Sequence, residues 1–189
     1  MKRLIFTTTL LMSLSALFAQ VKYQSSGQTI KIEGTSSLHD WHMTSGDGSC
    51  SATFNFDGTT LTNMPSLTFT VRAETLKSDT KGLNKNAYKA MKTAKYPNIT
   101  FSSHQATVRS NVANNYIISI KGQLTISGVT KEVWIPVTCI VNPADMSIVA
   151  SGSYKIKMSE YNVTPPSFMF GAMKTGDGLT IKFNASFKK

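Results

Sequence analysis

Residues 36–43, SSLHDWHM, place two histidines, an aspartate and a tryptophan in eight positions. His39, Asp40 and His42 are of types that ligate metals or move protons. In an extended strand His39 and His42 point to opposite faces, so H-x-x-H chelates poorly. A helix would bring them together, yet Ser36-Ser37 before and Thr44-Ser45-Gly46 after give it little support. Only a looped segment would gather the three into a weak metal site. The third histidine, His104, lies far away in sequence, and neither G-x-S-x-G nor H-E-x-x-H occurs. The ten acidic residues include no pair placed for glycoside hydrolysis. We therefore expect a non-enzyme with no catalytic residue, no metal and no cofactor. Trp41 is expected as a rim aromatic, with His39 and Asp40 hydrogen-bonding nearby backbone. Contact of His39 or Trp41 with a ligand headgroup is the functional alternative.

The two cysteines, Cys50 and Cys139, have no CxxC spacing. In an oxidising compartment they could pair, and closing so long a loop would add about 4–5 kcal/mol in the chain-entropy model. Two separately buried thiols fit the sequence equally well.

These residues sit on segments with strong period-two patterning. In 116–126, Tyr116, Ile118, Ile120, Leu124 and Ile126 share one face, with Ile117 the exception. The same alternation runs through 133–141, 148–158 and 179–187, and earlier through Cys50–Phe56 and Leu67–Ala73. Shorter strands fit Ile30–Glu33 and Ile99–Ser103. Turn residues fall between the runs, at Asp57-Gly58, Asn114-Asn115 and Asn142-Pro143. Antiparallel strands with one buried and one wet face follow, about eight in one domain, as a sandwich or closed barrel. The inward positions include Ala52, Ala73, Gly122, Ala150, Gly152 and Ala185. Small residues either leave a lumen for one slender ligand or admit a bulky neighbour.

One segment departs from this rhythm. Residues 77–95 suit a helix opened by Ser78 or Asp79 and stopped before Pro97. Lys77, Lys81, Lys85, Lys89 and Lys92 share one face, opposite Leu83, Ala87, Ala90, Met91 and Ala94. Such a helix can close one barrel end. Its lysine stripe is either a solvated face or a surface for an anionic membrane or ligand headgroup. Pro165-Pro166 exclude a regular central strand from 161–173, where Phe168, Met169, Phe170 and Met173 suggest a loop bordering the mouth.

At the N-terminus, Lys2 and Arg3 precede an uncharged run to Phe18, with Ala19 at a cleavage point. This pattern reads as a signal peptide over 1–19 and one domain over 20–189, hence a periplasmic or secreted protein. Cleavage lowers the formal charge from +10 to +8 by removing one lysine and one arginine. A basic exported chain without arginine-rich runs points to anionic lipid headgroups or acidic envelope components, not nucleic acid. Homodimerisation is compatible with all of these features.

The stretches YPNITF (96–101), GQLTISGVTKEV (122–133) and GDGLTIKFNASF (176–187) resemble the YceI-like family of exported lipid-binding proteins. The resemblance covers roughly Val21 to Lys189, and the ordered pair YPNITF then GQLTISGVTKEV is its most specific part. Family elements of the type H-L-G and R-x-D-F-G are replaced here by SSLHDWHM and MSEYNVTPPSFMFGAMKTGD. The resemblance implies an extended, antiparallel, eight-stranded lipocalin-like β-barrel with one short helical cover segment. It also implies a lumen that holds a polyisoprenoid, an isoprenoid quinone or a related amphiphilic lipid. On that basis the expected lumen residues are Phe54, Phe56, Phe69, Val71, Phe101, Ile118, Ile120 and Tyr154. Leu83, Tyr88 and Met91 join them from the helical cover. A packed structural barrel contacting an acidic envelope partner is the alternative.

Overall fold

The computed structural model describes residues 20–168 and 173–189. The expected signal peptide and Met169 and Phe170 of the mouth loop lie outside the described residues, as do the side chains of Phe168 and Met173. Among the described residues, β1 (Gln20–Ser36), β3 (Ser49–Asp57), β4 (Thr60–Arg72), β5 (Asn98–Val112), β6 (Asn115–Ile126), β7 (Val129–Val141), β8 (Ile148–Lys157) and β10 (Met173–Lys188) form an antiparallel ring. Pairing of β1 with β10, from Gln24↔Lys188 to Ser36↔Thr175, closes it. The result is the expected all-β, eight-stranded barrel. Closure removes the exposed edges that an open sheet would present.

Two short strands modify the wall. β2 (Trp41–Ser45) pairs with β1 over Ile30–Gly34, on the edge where β1 pairs with β3 over Gln20–Gln24. Thus β2 and β3 act as one strand interrupted at Gly46-Asp47-Gly48. β9 (Ser167–Phe168) adds two residues beside β10.

The hairpins follow local backbone chemistry. Gly58 supplies a positive φ between β3 and β4, and Ser127 and Gly128 do so together between β6 and β7. Two consecutive positive φ values give the primed turn whose twist suits a hairpin. Beyond Val137↔Gly152, β7 and β8 part. Two strands end earlier than their alternation suggests, where Ala73–Thr75 and Met158–Tyr161 turn into short 3-10 segments.

The helix α1 covers Lys81–Met91, shorter than the expected 77–95. Thr80 is its N-cap and Lys92, with φ 57°, its left-handed C-cap. Ser78 is not the cap because its N–H and hydroxyl both bond Asn84 Oδ1, at 2.8 and 2.9 Å. Lys77 instead bridges to Thr44 on β2, extending the wall toward the helix. Ala94 falls beyond the helix and is exposed.

Candidate functional site: a dead-ended apolar lumen

The barrel interior is not uniform along its axis. At the end holding the β3–β4 and β7–β8 turns it is solid. Tyr23 packs edge-on against Phe54 with ring centroids 5.3 Å apart, and Phe54 against Phe187 at 5.8 Å. Phe56, Met64, Tyr116 and Ile118 complete this packing. Its two phenols are tied down: Tyr23 donates to the Met146 carbonyl at 3.0 Å, and Tyr116 Oη accepts from the Leu61 N–H at 3.1 Å. Edge-to-face rings with satisfied hydroxyls form a rigid floor.

Above this floor lies a cavity of about 500 Å³. Phe54, Met64 and Phe187 form its bottom; Phe69, Val71, Phe101, Ile120 and Tyr154 belong to its wall; Leu83, Ala87, Ala90 and Met91 of α1 roof it. Ser36, Leu38, His39, Trp41, Thr80 and Lys174 ring the opposite end. Such a volume is within the usual range of small-molecule sites.

Three of the expected lumen residues do not border this space, each for a physical reason. Ile118 is fully buried inside the closed end, and Phe56 packs beside Tyr23 there. Tyr88 turns its hydroxyl to the carbonyls of Glu74 and Leu76, at 2.9 and 2.7 Å, and so clamps the helix onto the preceding segment. Conversely, Met43, Leu67, Ile181, Phe183 and Tyr161 line the cavity beyond the expected set. Leu67, Ile181 and Phe183 were already legible as inward by alternation. Tyr161 had no such signal, because it belongs to the 3-10 turn after β8.

The small inward residues divide. Side chains at Gly122 and Gly152 would collide with the rings of Phe101 and Phe183, so these glycines admit bulky neighbours. Ala150 and Ala185 border the cavity and leave space in it.

SSLHDWHM forms the rim. Ser36 closes a turn on His39, its N–H and hydroxyl donating to the His39 carbonyl at 3.1 and 2.7 Å. His39 Nδ1 lies 2.8 Å from the Asp40 carbonyl. Trp41 opens β2 opposite Gly34 and donates from Nε1 to the Thr35 carbonyl at 3.1 Å. His42 is exposed on the strand. No group of three metal-ligating side chains occurs among the described residues.

Cys50 on β3 and Cys139 on β7 are free and buried. Their strands stand four places apart in either direction round the ring, which puts the thiols on opposite walls. Burial pushes both thiols up to about 12. Tyr161 is also pushed up to about 12, by burial first and then by Tyr154 and Glu160.

Residues 18–187 match the YceI-like domain. The chain belongs to the YceI-like family. No curated relative matches it. The family's fold recurs in similar solved structures. BcnA of Burkholderia cenocepacia is 22% identical with a TM-score of 0.62, over 84% of this chain and 95% of that one. A polyisoprenoid binding domain from Saccharophagus degradans, implicated in plant cell wall breakdown, is 11% identical with a TM-score of 0.63, over 88% and 97%. The YceI protein of Campylobacter jejuni is 19% identical with a TM-score of 0.55, over 74% and 81%.

Proposed function

We propose that this YceI-like barrel binds the apolar tail of a single isoprenoid-type lipid, or a related long-chain amphiphile, and stores or carries it without catalysis. The observation that carries this reading is the apolar cavity of about 500 Å³, floored by aromatic packing and roofed by one amphipathic helix. The polyisoprenoid binding named for the Saccharophagus relative supports the same ligand class.

Affinity would come from burying the tail, at ~25 cal/mol per Å² of apolar surface, against the ordering of a flexible chain. Phe69, Phe101 and Ile120 would grip the tail, Leu83 and Met91 would cover it, and His39 and Trp41 would meet the headgroup at the rim. The signal-peptide pattern of residues 1–19 supports a periplasmic or secreted setting for this work.

Ala185→Phe and Phe69→Trp test the reading, since both add bulk to the cavity wall. Lost lipid uptake with an unchanged circular-dichroism spectrum is expected. Undiminished uptake by both folded variants would overturn the lumen as the site.

A further inference from the structure

We infer that the mouth end of the barrel docks on an anionic phospholipid surface, so that ligand passes directly between bilayer and lumen. The transfer half of this inference rests on the lipid-binding reading; the docking half does not.

Charge and topology coincide at this end. The helix turns Leu83, Ala87, Ala90 and Met91 toward the cavity, which leaves Lys81, Lys85 and Lys89 exposed on its far side. Lys77, Lys92 and Lys95 flank the helix and are exposed too. Residues 74–95 thus hold six lysines against two acidic residues, Glu74 and Asp79. Glu74 already accepts a hydrogen bond from Thr93 at 2.8 Å. Ion pairs among the described residues involve Lys31, Lys121 and Lys182, none of them at this surface. A stripe of unpaired lysines on a roof helix is matched by the phosphates of an anionic bilayer, each lysine being worth a roughly fivefold gain in binding.

A second feature lies beside the stripe. Leu38, at the tip of the Ser36–His39 turn, is 66% exposed, the most exposed large apolar side chain among the described residues. It also lines the cavity, as do Thr80 and Gly82 at the helix start. The turn beneath it is braced, since Ser37 N–H donates to the Lys174 carbonyl at 3.0 Å and Lys174 N–H to Ser37 Oγ at 3.2 Å. A braced apolar tip at the same mouth, with Asp40 the exposed carboxylate of its turn, is suited to enter the headgroup layer while the lysines sit at its surface. Lys174, exposed at the same rim, adds to the cationic ring.

The test is co-sedimentation of the protein with vesicles of phosphatidylcholine alone or mixed with phosphatidylglycerol. Binding to the anionic vesicles only, weakened by salt, is expected. Lys81→Glu, Lys85→Glu and Lys89→Glu combined should weaken it by at least about tenfold, and Leu38→Ser should weaken it further. A charge-matched control at the closed end, Lys22→Glu with Lys188→Glu and Lys189→Glu, should bind like the parent. Equal losses from both triple variants would reduce the effect to net charge and overturn the docking face, as would equal binding to neutral vesicles. Ala185→Phe separates the two readings: it should keep vesicle binding while losing lipid uptake.

Discussion

The indole of Trp41 occupies the space that a side chain at Gly34 would need. The two residues pair across β1 and β2, and any Cβ at Gly34 collides with the six-membered ring. The rim of the lumen is therefore set by a glycine that lets tryptophan lie against the wall. Gly34→Val should push Trp41 out and break its bond to the Thr35 carbonyl. A destabilisation of about 1–3 kcal/mol is expected from such overpacking. Denaturant titration gives the loss, and the tryptophan emission should shift to the red.

Opposite placement of Cys50 and Cys139 predicts that no disulfide forms, even under oxidising conditions. At neutral pH both thiols should resist a maleimide in the native state and react once the chain is unfolded, read by mass. Their titration also sets an alkaline limit. Below 9.0 both states keep the protons and the contribution is complete; between 9.0 and about 12 only the unfolded chain ionises, so stability falls as pH rises. Tyr161 acts in the same direction, between 10.0 and about 12. The double variant Cys50→Ala, Cys139→Ala should show a shallower alkaline decline.

Floor and wall should respond differently to mutation. Phe54 is 1% exposed and contacts Tyr23 and Phe187, so Phe54→Ala removes packing and leaves a void. A loss of about 3–5 kcal/mol is expected. Ala185 already faces open volume, so Ala185→Leu should cost little and instead reduce ligand capacity. Urea midpoints of the two variants check this contrast.

Much of this arrangement is legible in the sequence, and the part that is not has a common cause. Alternation places Ile118 and Ile120 on the same inward face, and both are buried there. It says nothing of height along the barrel axis, which alone puts Ile118 in the closed end and Ile120 beside the cavity. Phe54 and Phe56 differ for the same reason. The long start of β1, rich in Gln and Ser, has weak alternation and is held by pairing with β10 and β3. The helix shows its apolar face by spacing, but its first turn is decided by Asn84, which takes Ser78 away from capping. The fate of Tyr88 depends on two carbonyls, Glu74 in a 3-10 segment and Leu76 just after it, a contact no periodicity carries.

That contact is itself a handle on the roof. Tyr88→Phe removes the clamp to Glu74 and Leu76 while keeping the ring, and should loosen the helix by about 1 kcal/mol. Amide hydrogen exchange over Lys81–Met91 should quicken while the barrel strands stay protected.

The central claim is that the lumen above the aromatic floor holds a lipid tail. Native mass spectrometry of the purified protein, followed by organic extraction, tests it most directly. The account predicts one discrete adduct per chain that extracts as an isoprenoid or related long-chain amphiphile. A bare polypeptide mass, persisting after incubation with isoprenoid quinones and polyprenyl lipids, would contradict it.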